Sequence, residues 1–114
     1  MRYYIYIVRC KDDSHYTGIT TDPRRRMREH VLRLPAGAKY TKSHPVAALE
    51  ALWSAETRSE ASIFEAAIKR LRPEQKRKLI AQPDNFAALL ANRLDPSRYQ
   101  PEAVFSLAEF LNEQ

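Results

Sequence analysis

Residues 3–8, Tyr-Tyr-Ile-Tyr-Ile-Val, are aromatic or β-branched throughout and predict a strand. A polar break at Lys11-Asp12-Asp13-Ser14 supplies turn-forming residues, and His15-Tyr-Thr-Gly-Ile-Thr20 resumes the extended pattern, so the two segments predict a β-hairpin. Gly18 is out of place inside a strand and marks a point where another backbone or a ligand comes close. Asp22 before Pro23 has the form of a helix start, a carboxylate N-cap followed by proline at the first helical position. Met27, Val31 and Leu34 recur on one face of that helix, which Pro35 and Gly37 end. Residues 36–44 read as a polar loop carrying Lys39, Tyr40, Lys42 and His44. The stretch Val46–Ala55 has helix-compatible propensity, but its place between two loops suits a third strand. Thr57 and Glu60 have capping-box spacing and open a second helix with Ala61, Phe64, Ile68 and Leu71 as its buried stripe. A short helix from Pro73 to about Ala81 follows, then one over 86–93 and a last amphipathic segment carrying Leu107, Phe110 and Leu111.

The chain of 114 residues is enough for one compact domain, and 44% hydrophobic with 29% charged residues excludes wholesale disorder. A single cysteine, Cys10, forms no internal disulfide and builds no zinc site with the three histidines; it reads as a small packed hydrophobe. No apolar run approaches the roughly 20 residues a membrane helix needs. The N-terminus opens into strand sequence without a signal-like apolar region, so a cytoplasmic protein is expected. Charge divides the chain unevenly. Residues 1–81 hold 17 Lys/Arg and 9 Asp/Glu, whereas residues 82–114 hold 2 and 5. A body this basic attracts phosphate polymers, and the acidic remainder is expected to pack on it and partly cover the basic surface.

The first helix places Arg26, His30 and Arg33 on a face beside its apolar stripe, and Arg24, Arg25 and Arg28 widen the cation cluster. Each arginine alone is what any solvated helix face shows, but together their donor forks suit phosphate oxygens. On the hairpin, Tyr4 and Tyr6 share one strand face, and Tyr16, Gly18 and Thr20 share one face of the next. Tyrosines on strands ordinarily pack with the hydroxyl at the edge, yet Gly18 clears space beside Tyr16. Glu65 falls mid-helix. It is read either as an i, i+4 partner of Lys69 or as the carboxylate that holds a hard cation whose other ligands are phosphate and water. His15 and His44 have no partner at metal or triad spacing and are expected to be exposed.

In order along the chain these pieces resemble the GIY-YIG nuclease domain. Tyr4-Ile5-Tyr6 stands where the first triplet belongs, with Tyr in place of the leading Gly, and Tyr16-Thr17-Gly18 stands for the second. Arg26 follows Tyr16 by ten positions, Glu65 lies in the later helix, and Tyr-Thr-Gly-Ile-Thr-Thr-Asp with Arg-Arg…His ending at His30 is similar to the small stand-alone bacterial members. An asparagine that follows the glutamate in many members has no clear match; Arg77 and Ile80 stand at plausible offsets and Asn85 lies later.

The resemblance implies an α/β (α+β) fold, a small three-stranded antiparallel sheet flanked by helices over residues 2–80, with a C-terminal helical appendage over 81–114. It implies an endonuclease hydrolysing DNA phosphodiester bonds, branched or single-stranded DNA included, with one divalent ion, Mg²⁺ or Mn²⁺. Tyr16 would be the general base, Tyr6 would position water or phosphate, Arg26 would steady the scissile phosphate, His30 would support it and Glu65 would hold the metal. Arg24, Arg25, Arg28, Arg33, Lys39, Lys42 and Lys69 are the expected nucleic-acid contacts. The alternatives are a nucleic-acid-binding module of the same fold that cleaves weakly or not at all, and a protein-interaction adaptor using the acidic segment.

Overall fold

A computed structural model of the chain describes residues 1–113. The hairpin forms as its sequence predicts, with β1 over Tyr3–Cys10 and β2 over His15–Thr20 paired antiparallel so that Tyr6 faces Gly18 and Val8 faces Tyr16. Val46–Ala55 is β3, antiparallel to β1 on its other side. Opposite Ile7 stands Ala51, but opposite Val8 stands Leu49, so Glu50 is the extra residue of a bulge. That bulge brings Leu49 and Leu52 to one face although three positions separate them. A spacing of three in the sequence therefore imitates a helix where the chain is extended.

The expected three-stranded sheet has a fourth strand. β4, Tyr99–Pro101, pairs antiparallel with the end of β3, giving the order β2-β1-β3-β4. Three residues are too few to show alternation in a sequence, and Pro101 is tolerated because this is an edge. Side chains fasten the strand. The Tyr99 hydroxyl donates to the Glu60 carbonyl at 2.7 Å, and Ser54 Oγ donates to Glu102 Oε2 at 2.6 Å.

Helices cover both faces. On one face Ile5, Ile7, Ala51 and Trp53 meet Phe64 and Ile68 of α3 (Arg58–Lys69), Leu79 of α4 (Pro73–Ala81) and Phe86 and Leu90 of α5 (Phe86–Leu90). On the other, Tyr6, Val8, Cys10 and Leu52 meet Met27 and Val31 of α1 (Pro23–Val31) and Phe110. The caps are those predicted: Asp22 accepts from the Arg25 amide, and Thr57 from the Glu60 amide. Three expectations about the helices change. First, α1 stops at Val31, with Arg33 in the left-handed region at φ 55°, so Leu34 lies outside it. Second, part of the expected 36–44 loop is a helical turn, α2 over Lys39–Ser43, which buries Thr41. Third, the helix expected over 86–93 starts at Phe86, directly after a 3-10 turn at Pro83–Asn85, but ends early, at Leu90.

The described residues after Gln82 enter both cores. Tyr99 packs edge-on against Phe64 with ring centroids 4.8 Å apart, while Leu107 and Phe110, the latter on α6 (Ala108–Leu111), complete the α1 side. No helix among the described residues is long and apolar enough to cross a membrane. Truncation after Ala81 uncovers both faces by removing Phe86, Leu90, Tyr99, Leu107 and Phe110. At roughly 1.5–3 kcal/mol for each large apolar side chain, the loss rivals the whole stability of a small domain. The truncated chain is expected to lose its cooperative urea transition; a transition like that of the full chain would show that the appendage is dispensable.

Candidate active site

Strand pairing decides where the Tyr6 ring goes. It lies across Gly18, where an added Cβ would fall 2.3 Å from its hydroxyl oxygen and 2.6 Å from Cζ. Any other residue at position 18 would collide with a fully buried ring. This is the close approach that an interior strand glycine signals, and the approaching group is the protein's own tyrosine.

The Tyr6 hydroxyl is 2.7 Å from His30 Nε2 and accepts from Arg26 Nε at 3.4 Å. His30 Nδ1 lies 2.8 Å from Thr41 Oγ1, and that hydroxyl donates its proton to the Ala38 carbonyl at 3.0 Å. Those bonds settle the direction of the chain. Because the Thr41 proton goes to Ala38, Thr41 accepts from His30 Nδ1–H. The bare His30 Nε2 then accepts from Tyr6. Burial drives the imidazole pKa down to about 4, with the Arg26 charge acting in the same sense, so the ring is neutral. Burial also raises the Tyr6 phenol well above its usual range, while the bond from Arg26 opposes the shift. Tyr6 and His30 are both 0% exposed, and no buried side-chain polar atom among the described residues lacks a partner.

Tyr16 is the partly exposed member of the group. Its ring centroid lies 6.3 Å from that of Tyr6 and 5.7 Å from that of His30. Tyr40 stacks on its other side at 5.8 Å, and His44 stacks on Tyr40 at 3.9 Å, which explains why His44 is half-buried rather than exposed as expected. Arg26 is anchored by Glu29 Oε1 at 3.1 Å and the Ala36 carbonyl at 2.6 Å through one Nη, which leaves its other Nη without a bond among the described residues. Tyr6, Tyr16, Arg26 and His30 therefore converge.

Glu65 does not join them by a hydrogen bond. Its carboxylate, with side chain 25% exposed, pairs with Lys69 at 3.4 Å, and its charge reaches the Tyr6 phenol as a minor cause of the raised pKa. The cationic residues disperse. Arg24 pairs with Glu109 while its guanidinium lies 5.1 Å over the Phe105 ring, and Arg28 pairs with Glu113 at 3.5 Å, so the C-terminal segment covers part of α1 as its charge predicts. Lys42 donates to the Pro35 carbonyl at 3.1 Å, and Arg25, Arg33 and Lys39 are exposed. Of the residues at plausible offsets for the asparagine, Arg77 is exposed and Ile80 packs against the α3-side core; the later Asn85 is exposed.

A family model described as the GIY-YIG catalytic domain matches residues 2–78. The chain belongs to that family. It is 40% identical to a UPF0213 protein of Fusobacterium nucleatum over 92 residues, 81% of this chain and 90% of that one. It is 48% identical to a UPF0213 protein of Cupriavidus necator over 81 residues, 70% of this chain and 85% of that one. The solution NMR structure of a UPF0213 protein from Bacillus halodurans, 40% identical, aligns with a TM-score of 0.46 over 71% of this chain and 84% of that chain.

In this GIY-YIG domain the sequence reading missed Thr41, Tyr40 and Glu29 as parts of the site. One signal was available: a buried histidine needs partners at both ring nitrogens, and Thr41 is a hydroxyl in the segment following His30. The His30 bonds also carry a pH dependence. The folded pKa lies below the ordinary 6.5, so neutral His30 favours the fold above that pH, and the contribution is lost as pH falls toward 4. It amounts to ~3 kcal/mol at about 1.4 kcal/mol per pKa unit. Stability measured by urea unfolding is expected to drop between pH 6.5 and 4, and His30→Gln is expected to flatten that drop. The same slope in the variant would assign it to other groups.

Proposed function

We propose that this GIY-YIG protein is a metal-dependent endonuclease that hydrolyses DNA phosphodiester bonds in the cytoplasm. The observation that carries the reading is the convergence on Tyr6 of the partly exposed Tyr16 ring and of Arg26, which keeps one Nη without a bond among the described residues. Tyr16, acting as the phenolate, takes the proton of the attacking water as the water oxygen bonds to phosphorus, and Arg26 directs its free Nη at the phosphoryl oxygens, where negative charge grows. Tyr6 and His30 act from behind as positioning residues, a narrower role than direct contact with water or phosphate, because both are fully buried. Their bonds hold the Arg26 fork in place and set the floor under the Tyr16 ring. Arg25, Arg33, Lys39 and Lys42 supply exposed positive charge for the flanking phosphates, and Arg24, Arg28 and Lys69 join them when their carboxylate partners yield.

Among the described residues no three His, Cys, Asp or Glu side chains gather into a metal cluster. A single accessible carboxylate, Glu65, fits a hard ion such as Mg²⁺ or Mn²⁺ that takes most of its ligands from phosphate and water. When bound, such an ion neutralises charge on the phosphoryl group. One observation favours the alternative, a nucleic-acid-binding module of this fold that cleaves weakly or not at all: Glu65 already has Lys69 as its partner.

Cleavage is measured over duplex, single-stranded, flap and branched DNA with Mg²⁺ or Mn²⁺. Glu65→Gln and Tyr16→Phe are each expected to lower cleavage by orders of magnitude while binding without metal persists. The partly exposed pair of Glu65 with Lys69 contributes about 1 kcal/mol, so folding should barely change. Variants that cleave as the wild type does would overturn these assignments; a wild type inert with every metal would favour the binding module.

A further inference from the structure

The greatest concentration of unneutralised charge lies away from α1. Residues 69–78 hold six cations, Lys69, Arg70, Arg72, Lys76, Arg77 and Lys78, against one carboxylate, Glu74. Of these six, only Lys69 is in an ion pair among the described residues. On α1, by contrast, Arg24, Arg26 and Arg28 are each paired with a glutamate. The two helices look equally basic in the sequence and differ in the folded chain.

The corner between α3 and α4 holds this charge on a rigid support. Leu71 and Leu79 are buried in the core on either side of it, and Pro73 starts α4 immediately after the turn. The corner also borders a depression, with Leu71, Pro73, Lys76 and Arg77 on one side and Arg9, Asp13 and His15 of the hairpin on the other. Arg9 is held by Glu50 at 2.8 Å and by Asp13 at 3.7 Å, so the net positive charge of the depression comes from Lys76 and Arg77.

We infer that the α3–α4 corner is a phosphate-docking surface that holds the DNA backbone on one side of the cut. The inference rests on the nuclease reading and adds where the substrate lies. Lys69 stands about 6 Å beyond Glu65 along the α3 axis, at about 1.5 Å rise per residue. A strand advances about 3.4 Å per phosphate along a duplex, so DNA reaching Glu65 meets the corner within a few nucleotides. Charge complementarity selects the partner. A cluster of six arginines and lysines, five of them exposed, with Glu74 as its one carboxylate suits a polyphosphate backbone and supplies no base-specific contact.

The test measures binding of a labelled duplex oligonucleotide, without metal, over a salt series. The proteins are the full chain, Lys76→Ala with Arg77→Ala, and a control of equal charge, Arg58→Ala with Arg93→Ala, two exposed cations outside the corner. Alanine keeps α4 helical. The corner variant is expected to bind more weakly, with the slope of log K against log[salt] smaller by about 0.9 for each phosphate it no longer neutralises, while the control keeps the wild-type slope. An unchanged slope in the corner variant, or an equal loss in both variants, overturns the inference. Wild-type cleavage is assayed in parallel. A wild type that binds with the expected corner dependence but never cleaves sinks the nuclease reading and leaves the surface standing.

Discussion

One hydrogen-bonded chain, running from Arg26 through Tyr6 and His30 to Thr41 and the Ala38 carbonyl, is the constraint on which the site depends. It joins β1, α1 and α2 below the surface, and each link needs the next. Removing a partner from a buried polar group costs about 1–3 kcal/mol, so the four side chains are held as a unit. Gly18 is part of the same constraint, since only a residue without Cβ lets the Tyr6 hydroxyl occupy that place. Above the buried chain lie the partly exposed Tyr16 ring and the Arg26 Nη that has no bond among the described residues, the two groups to which the proposed chemistry is assigned.

Much of this was legible in the sequence. The hairpin, the two N-caps, the apolar stripe of α3 and the Met27 and Val31 part of the α1 stripe follow from local patterns whose physical causes act over a few residues, whereas the set Tyr6, Tyr16, Arg26, His30 and Glu65 came from the resemblance to the GIY-YIG family. The unreadable features have long-range causes. β4 is a strand only because the outer edge of β3 is there to pair with it. The Leu49 and Leu52 spacing is ambiguous until the bulge at Glu50 is known. The helical turn α2 carries no strong periodic signal, and burial of Thr41 against His30 accompanies it.

Charge shows the same division between local composition and fold. Counting arginines makes α1 the leading candidate for nucleic-acid contact, but Glu29 within the helix and Glu109 and Glu113 from the far end of the chain are folded against it. The acidic segment is thus both a structural part, through Leu107 and Phe110, and a partial cover for the basic helix. The cations of α4 have no such partners among the described residues, because no acidic segment folds over them. Function in this family member is therefore better read from which charges are left free than from how many there are.

The protonation state of His30 tests the account most directly. In ¹⁵N-resolved NMR of the imidazole, the buried chain predicts a single neutral tautomer, with the proton on Nδ1 and Nε2 accepting from Tyr6, unchanged between pH 8 and pH 5.5. Averaged nitrogen shifts, or titration near the ordinary histidine value, would contradict it by showing that Tyr6, His30 and Thr41 do not form one locked chain.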